Sequence, residues 1–276
     1  MKLKFSVLMS VYENENSTYL YQCLMSLLNQ TLNANEVVLV EDGVIPQSLR
    51  NVIEKFRDKL NIRSIYLKKN HGLAVALNVG LKNCHYDFIA RMDSDDICLP
   101  NRFEQQVKSF EEEKDLDILG TFAQEIDKNS LKGNIRRMPI NHKEIYSCLY
   151  LTPFIHSSVM FRKSSISKLG GYNESLRRRQ DYDLWFRAGK AGLKFKNIPS
   201  VLLLYRFDQF THLRQSYSSL FRQGITGFRG VWLLKQPLWK GLIAFIPFLR
   251  GLLPISLQHK AYYYLKKFDP RERGKI

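Results

Sequence analysis

Three carboxylates within four residues are the clearest chemical feature of this 276-residue chain. Asp93, Asp95 and Asp96 follow the apolar run from Phe88 to Ala90, which is short enough to be a buried strand. Three like charges this close repel one another unless a cation neutralises them, and oxygen ligands suit Mg²⁺ or Mn²⁺. Such ions bind through one or two carboxylates together with substrate phosphates. The pattern predicts a metal and phosphate site, with a solvated acidic loop as the alternative.

A second acidic position, Asp181, has two interpretations. It lies in the stretch Arg177 to Phe186, where three arginines precede two acids at the predicted start of a helix. An acid at that place can cap the helix N-terminus. It can also act as the general base for an attacking hydroxyl. The two roles are compatible, because Asp183 offers a second carboxylate for the cap.

Strand and helix patterns alternate along the first 115 residues. The predicted strands are 5–11, 36–40, 62–67 and 86–92, and the predicted helices are 16–28, 46–60, 73–82 and 99–113. This alternation predicts βαβ units and a mostly parallel sheet flanked by helices. Ligands in such sheets bind at the carboxyl ends of the strands. Glu41 and Asp42 end the second strand and Asp93 to Asp95 follow the fourth, so together they predict a site for a nucleoside diphosphate and an ion.

After Leu116 the regular alternation stops. The pattern predicts a strand over 118–126 interrupted near Gly120, a polar and mobile segment over 128–141, and a strand over 155–161. It then predicts a turn at Gly170 to Tyr172, a helix over 181–191 and two short strands, 194–198 and 201–205. Residues 1–206 are expected to form the catalytic domain, with a nucleotide-binding half (1–115) and an acceptor half (116–206).

The last quarter of the chain is basic and amphipathic. The whole chain has 42 Lys and Arg against 26 Asp and Glu, a net charge of +16. From Tyr205 onward there are 13 basic and 3 acidic residues, so +10 of that excess lies in the last 72 residues. Leucines and aromatic residues recur among these charges, and Pro237, Pro247 and Pro254 divide the segment into short helices. Residues 207–276 are therefore expected to be a membrane-associating helical tail. The alternative is that these helices pack on the catalytic domain or form an oligomer contact.

Two further features bear on where the chain works. Its four cysteines show no CxxC spacing, which is typical of free thiols in a reducing cytoplasm. The apolar N-terminus is interpreted as a strand and not as a signal peptide, because its apolar part is short. The expected location is the cytoplasm, with peripheral attachment to the inner membrane.

An ordered set of motifs resembles family 2 glycosyltransferases, which are inverting enzymes of the GT-A fold that use nucleotide-sugar donors. The resemblance covers roughly residues 5 to 206. It extends to the enzymes that build bacterial O-antigen and capsule polysaccharides. The motifs lie at 5–12, 26–31, 38–43, 70–78, 90–96, 99–103, 156–160, 170–172 and 181–185.

The resemblance implies a role for each matching residue. Those expected to bind the nucleotide-sugar are Ser10, Tyr12, Asp42, Asn70, Gly72 and Asp93, and the expected metal ligands are Asp93 and Asp95, holding Mn²⁺ or Mg²⁺. Asp181 matches the catalytic base. His156 and Tyr172 are candidates for the acceptor site, although a structural role is the commoner one for a lone histidine near a strand. Gln180 departs from the family, since it replaces an acidic neighbour of the base.

The implied reaction moves a hexose from a UDP-sugar to a sugar on a polyprenol diphosphate, giving a β linkage from an α-linked donor. The hexose is glucose or galactose, or an N-acetylhexosamine. One alternative is a nucleic-acid-binding protein, suggested by the charge, but the basic residues are mixed with leucines and tryptophans. Another is a sugar nucleotidyltransferase. Such enzymes carry a basic, Gly-rich loop after the first strand, where this chain has the acidic stretch Ser10 to Glu15.

Overall fold

A computed structural model describes residues 3–207 and 216–254, together with residues 257, 258, 261 and 264. Within them the chain forms one nine-stranded sheet with helices on both faces. The strands are β1 (Phe5–Val11), β2 (Glu36–Asp42), β3 (Ile62–Leu67), β4 (Phe88–Arg91), β5 (Ile97–Cys98), β6 (Ile118–Ile126), β7 (Lys132–Arg136), β8 (Met160–Arg162) and β9 (Phe195–Arg206). The α-helices are α1 (Ser17–Leu28), α2 (Gln47–Phe56), α3 (Leu73–Asn83), α4 (Arg102–Glu112), α5 (His142–Ser147), α6 (Lys163–Lys168), α7 (Gln180–Lys190), α8 (Tyr217–Leu233), α9 (Leu238–Ile243) and α10 (Ile246–Gly251).

The first half of the sheet is parallel, as the alternating pattern predicts. Its strands lie in the order β3-β2-β1-β4, and each neighbouring pair is parallel. β1 and β2 are buried along almost their whole length, which explains their continuous apolar sequences. The side chain of Asn16 accepts hydrogen bonds from the backbone of Thr18 and Tyr19, which confirms the predicted cap of α1.

The second half of the sheet is mixed. Beyond β4 the order is β8-β6-β9-β5, with β7 paired to β6, and only the β6–β9 pair is parallel. The predicted helix at 99–113 begins later, at Arg102, because residues 97 and 98 form β5 against β9. β5 pairs with a strand far away in the sequence, Ile97 with Leu204 and Cys98 with Leu203, so no local pattern marks it.

Four predictions for the second half are wrong in detail. β6 runs without a break, although its register against β9 shifts on either side of Phe122. The segment 128–141, which was expected to be polar and mobile without regular structure, contains the strand β7. Residues 156–158 form a 3-10 turn that precedes the short strand β8, in place of one strand over 155–161. The two short strands expected over 194–205 are one strand, β9, which absorbs a register shift instead of ending.

Two apolar cores lie on opposite faces of the sheet. Successive residues of a strand point to opposite faces, so Val7 and Met9 join the core under α1, α2 and α4, whereas Leu8 joins the other. The second core includes α3 and α7, and it extends to Val231 of α8. The carboxyl ends of β1, β2 and β4 are therefore left open between the two layers, at the edge where ligands bind in such sheets.

The tail packs closely on the catalytic domain, and glycines of α8 make the close approach possible. Gly224, Gly227 and Gly230 lie three residues apart on one face of α8. A Cβ at Gly230 would overlap the ring of Phe186 on α7, and a Cβ at Gly227 would overlap Tyr182. α8 is also longer than the predicted short helices. Residues 208–215 and 265–276 lie outside the described residues, so the expectations for them are not addressed.

No helix among the described residues combines the length and the apolar character needed to cross a bilayer. All four cysteines are buried and free, which confirms the prediction of free thiols.

Candidate active site

The acidic loop, residues 93–96, connects β4 to β5 at the carboxyl end of β4. One carboxylate oxygen from each of Asp93, Asp95 and Asp96 lies within 4.8 Å of the others. Asp93 and Asp95 are partly exposed, whereas Asp96 is buried. The structure thus brings the predicted metal ligands together, and their all-oxygen donor set fits a hard divalent cation.

Arg206, the last residue of β9, holds the acidic loop in place. Its backbone N–H donates to Asp96 Oδ1 at 2.7 Å, and its Nε donates to the carbonyl oxygen of Asp95 at 3.0 Å. The guanidinium also donates to the carbonyl of Asp127 and lies 3.9 Å from the ring centre of Tyr19. Sequence reasoning missed this residue, because the role depends on β9 continuing to position 206.

The carboxylates of the acidic loop are poorly stabilised in their charged form. Burial, followed by the charge of Asp93, raises the pKa of Asp95 to about 6. The same two causes raise the pKa of Asp96 well above its usual value. An isolated aspartate titrates at about 3.9. A nearby cation favours the ionised form, so the electrostatics also fit a cation at this loop.

The turn after β1 adds a fourth carboxylate, Glu15, which sequence reasoning missed. Burial raises its pKa to about 7, a hydrogen bond with Ser94 opposes that rise, and the charges of Asp95 and Asp93 add to it. The backbone of Glu15 donates to the carbonyl of Tyr12 at 3.1 Å, which fixes the turn. The acidic stretch after the first strand was a signal for this residue.

Arg91 is a buried cation at the end of β4. Its side chain is 2% exposed and forms an ion pair with Asp93 through Nη2. Nε and Nη1 are buried and have no hydrogen-bond partner among the described residues. Burial would lower the pKa of Arg91, but the charge of Asp93 and that group's hydrogen bond raise it overall. No sequence pattern marks this ion pair, because Arg91 lies within an apolar strand pattern.

The predicted nucleotide-binding residues lie around the carboxyl ends of β1 and β2. Asp42 is buried and accepts hydrogen bonds from the backbone N–H groups of His71 and Gly72, at 2.7 and 2.8 Å. Gly72 has a φ of +94°, which favours glycine. A carboxylate has about four acceptor sites, so Asp42 retains capacity for a ligand N–H or hydroxyl.

The other three candidates at this edge differ in exposure. Tyr12 is 38% exposed and Asn70 is exposed, whereas Ser10 is half-buried near the end of β1. Burial, and then the charge of Glu15, raises the pKa of Tyr12. Tyr12 therefore lies beside the acidic loop, and its ring is accessible to a planar ligand.

Asp181 lies in the first turn of α7 and is half-buried. Burial raises its pKa, whereas the charge of Arg179 and the backbone N–H groups of the first turn lower it. The second acid of this turn, Asp183, is committed to Arg187 by a contact of 2.7 Å between its Oδ2 and Nε. The residue before α7 makes no side-chain cap. One of the two acids was expected to cap the helix N-terminus. Asp183 supports the helix instead through its ion pair with Arg187.

His156 and Tyr172 form a pair next to this helix. His156 Nε2 and the Tyr172 hydroxyl are 2.9 Å apart. Burial, and then the charge of Arg91, lowers the pKa of His156 well below its usual value, so the imidazole is neutral. Tyr172 is only 2% exposed, and Asn78 fixes it through two hydrogen bonds of 2.8 Å to its backbone. Tyr172 is therefore placed to orient His156 and lies beneath the surface.

Comparison with known proteins identifies the family. A profile described as "Glycosyl transferase family 2" matches residues 6–170, which include β1 to β8 and the acidic loop. The chain belongs to glycosyl transferase family 2. Its architecture is the GT-A-like α/β fold that the sequence motifs implied.

Two relatives and one solved structure place the transferase more closely. The chain is 40% identical over 203 residues to "Amylovoran biosynthesis glycosyltransferase AmsE" of Erwinia amylovora, and the alignment covers 73% of this chain and 76% of the relative. It is 37% identical over 214 residues, 77% of each chain, to "UDP-Gal:alpha-D-GlcNAc-diphosphoundecaprenol beta-1,3-galactosyltransferase" of Escherichia coli. Residues 1–349 of Staphylococcus aureus TarS, in complex with UDP-GlcNAc, align with a TM-score of 0.69 at 20% identity, covering 96% of this chain and 76% of that one. The relatives indicate a transferase of bacterial surface polysaccharide biosynthesis, and the solved structure shows the fold.

Proposed function

We propose that this transferase moves a hexose from a UDP-sugar to a sugar carried on a lipid diphosphate, with inversion at the anomeric carbon. The observation that carries the proposal is that Asp181, a half-buried carboxylate separate from the acidic loop, interacts electrostatically with the same arginine as that loop, Arg91. Burial raises the pKa of both Asp95 and Asp181, and the charge of Arg91 opposes that rise at each of them. The Escherichia coli relative, named for a UDP-Gal donor and a lipid-linked GlcNAc acceptor, supports these substrate classes.

The donor occupies the carboxyl edge of the parallel strands in this proposal. Ser10, Tyr12 and Asp42 hold the uridine, and the Asn70 to Gly72 loop lies against the nucleotide-sugar. Asp93 and Asp95 hold Mg²⁺ or Mn²⁺ together with the diphosphate. When bound, the cation stabilises the negative charge that develops on the leaving diphosphate. The accessible ring of Tyr12 and the remaining acceptor capacity of Asp42 support this placement.

The chemical step is a single displacement assisted by Asp181. Its carboxylate accepts the proton of the acceptor hydroxyl as the hydroxyl oxygen bonds to the anomeric carbon. The bond from that carbon to the diphosphate oxygen breaks, and UDP leaves. A general base works best when its pKa approaches the working pH, and burial moves the pKa of Asp181 in that direction. Neutral His156, held by Tyr172, is positioned to contact the acceptor.

A panel of UDP-sugars tests the proposal, each incubated with a synthetic lipid-diphosphate GlcNAc or GalNAc acceptor and Mn²⁺. Mass spectrometry of the product and detection of released UDP are the measurements. We expect UDP release and an acceptor heavier by one hexose or N-acetylhexosamine. Release of pyrophosphate from a nucleoside triphosphate and a sugar phosphate, without UDP, would instead identify a nucleotidyltransferase.

We also propose that the tail rests on the inner face of the cytoplasmic membrane, where a polyprenol-linked acceptor is anchored. The face of α8 opposite its glycines carries Arg222, Arg229 and Trp232, by helical spacing. All three are exposed, and so is Lys235 in the following turn. Trp232 is 69% exposed and Trp239 53%. Exposed aromatic and basic side chains together suit an anionic bilayer surface.

Two aromatic side chains of the tail, Phe245 and Phe248, are half-buried and pack within the protein. Phe245 and Phe248 both pack against Phe221, with ring centres 5.7 and 5.3 Å apart. They form an aromatic cluster between α8 and α10. The candidate lipid contacts are therefore the two exposed tryptophans together with exposed leucines. These leucines are Leu233, Leu238, Leu242, Leu249, Leu252 and Leu253.

Liposome flotation with surface variants tests the membrane role. Deleting the tail would expose Tyr182 and Phe186, which pack on α8, so substitutions are a cleaner test than truncation. The full chain is expected to float with vesicles containing phosphatidylglycerol and to be released by high salt. Trp232→Ala combined with Trp239→Ala should weaken flotation, whereas Tyr66→Ala, an equally exposed aromatic residue on β3, should not. A full-length chain that stays at the bottom at low salt would rule the role out.

A further inference from the structure

The ion pair between Arg91 and Asp93 joins a buried cation to a proposed metal ligand. The backbone of Arg91 is fixed on both sides: its N–H donates to Val159 O at 2.8 Å, and its carbonyl accepts from Arg102 Nη2 at 2.9 Å. The side chain leaves this strand end inside the protein and meets Asp93 there. Asp93 itself is 35% exposed at its side chain. The guanidinium thus contacts the acidic loop from the interior of the protein, whereas a ligand would contact the same loop from the solvent side.

The rest of the guanidinium has no hydrogen-bond partner. Nε and Nη1 are buried donors without a hydrogen bond among the described residues. Leaving a buried donor unpaired is costly, more so for a charged group. The cost is partly offset by Asp93, whose charge and hydrogen bond favour the charged form of Arg91. An anion bound at the acidic loop would supply the missing acceptors.

We propose that Arg91 stands in for the divalent cation in the free protein and couples cation binding to nucleotide binding. In the absence of ligands the guanidinium neutralises Asp93, so a cation must compete with it for that carboxylate. When the donor binds, its diphosphate accepts hydrogen bonds from the guanidinium, and Asp93 is released to the cation. The inference rests on the proposed cation-assisted donor binding. It predicts that UDP and the cation each strengthen binding of the other.

Direct binding of Mn²⁺, followed by the electron paramagnetic resonance signal of the free ion, tests this inference without transfer activity. For the wild-type chain we expect weak binding alone and binding at least about tenfold tighter with saturating UDP. Arg91→Met removes the competitor, so Mn²⁺ alone should bind about tenfold more tightly than to wild type, since one unit charge is removed at contact distance. UDP should then strengthen Mn²⁺ binding less than it does in the wild type, because only the direct contact between the diphosphate and the ion remains.

Two further variants keep the test decisive. Arg179→Met removes a different arginine near Asp181 and should leave Mn²⁺ binding unchanged. Arg91→Lys keeps the charge but loses the fork of donors, so the strengthening by UDP should fall at least about threefold. Arg91→Lys decides the matter if Arg91→Met does not fold. Unchanged strengthening by UDP in Arg91→Lys, or Mn²⁺ binding to folded Arg91→Met no tighter than to wild type, would overturn the inference.

The outcomes also separate this inference from the proposed function. Sugar transfer by the wild-type chain, with folded Arg91→Met binding Mn²⁺ no tighter than the wild type, would remove the inference and leave the function standing. Tighter binding of Mn²⁺ to Arg91→Met, with no transfer by the wild type from any UDP-sugar, would do the reverse.

Discussion

Arg91 and Arg102 are both fully buried, but their surroundings differ in one respect. The guanidinium of Arg102 donates to Gln106 Oε1 at 3.1 Å, Cys98 Sγ at 3.1 Å and the carbonyl of Arg91 at 2.9 Å. Arg91 has one carboxylate partner and two unpaired donors. A charge whose hydrogen bonds are complete holds the fold together, whereas one with unmet donors is available to a ligand. The same contrast separates Asp183, which is paired with Arg187, from Asp181.

The largest expected effect comes from two carboxylates of the acidic loop, Asp95 and Asp96. Asp95→Ala should abolish transfer, because it removes a ligand of the proposed cation. The midpoint of thermal unfolding should stay nearly unchanged, since the lost charge is one that burial and Asp93 disfavour. Asp96→Ala is the matched change. Asp96 accepts a hydrogen bond from the backbone of Arg206, so this variant should lower the midpoint. Near-normal transfer by Asp95→Ala, or by the wild type in EDTA, would contradict the contrast.

The second effect concerns the two acids of α7. Asp181→Asn keeps the size of the side chain but not its basicity, so turnover should fall on the order of 10²-fold or more. UDP affinity should stay the same in a titration calorimetry measurement. Asp183→Asn breaks the pair with Arg187 and should cost stability with little loss of turnover. Asp181 would need a new role if its variant bound UDP weakly and still turned over normally.

A third effect sharpens the contrast between the two arginines. Arg102→Met leaves the carbonyl of Arg91 and the Gln106 oxygen without their donor inside the protein. We expect a loss of about 2–4 kcal/mol in the free energy of unfolding, measured with urea. The strengthening of Mn²⁺ binding by UDP should persist in the folded fraction. If Arg102→Met were instead as stable as wild type, complete hydrogen bonding would not be what that residue contributes.

The smallest effect is a pH dependence of stability in the absence of metal. Folding raises the pKa of Glu15 from 4.5 to about 7 and that of Asp95 from 3.8 to about 6. Acids with raised pKa values favour the folded state when protonated. Their contribution is complete below the unfolded values and is lost as pH rises through the folded ones. The unfolding midpoint in EDTA should therefore fall by a few degrees between about pH 5 and pH 8.

Two comparisons check that this fall comes from the acidic loop. Glu15→Gln should flatten the pH dependence, because it removes one of the carboxyl groups whose pKa folding raises. Added Mn²⁺ should raise the midpoint more at pH 8 than at pH 5, because the ion binds ionised carboxylates. A midpoint that rises steadily with pH in EDTA would show that other groups dominate.

The sequence predicted the parts of the fold whose signals are local. β1 and β2 are largely apolar runs, and helices follow β1 to β4 in regular alternation. The type and order of these elements could therefore be derived, and the acidic ends of β2 and β4 followed from that order. β5 could not be derived, because it depends on pairing with a strand distant in sequence. β7 pairs with its neighbour β6, but its residues are mostly polar and exposed, so no apolar pattern marks it. The same holds for site residues. Asp93 and Asp95 are marked by their spacing, but Arg206 gains its role only because β9 reaches the acidic loop.

The glycine row of α8 has a geometric consequence for the base. Asp181 begins α7, and Phe186 near the middle of that helix meets Gly230 without an intervening side chain. Two helices in such close contact cannot slide past each other without a clash, so they behave as one rigid strut. The 11 residues of α7 give this strut a length of about 16 Å. The outward face of α8 and the carboxylate of Asp181 are thus held at a set spacing. If the outward face of α8 rested on a surface, the carboxylate of Asp181 would lie at a fixed distance from that surface. Only an acceptor hydroxyl held at the same distance could then reach the base.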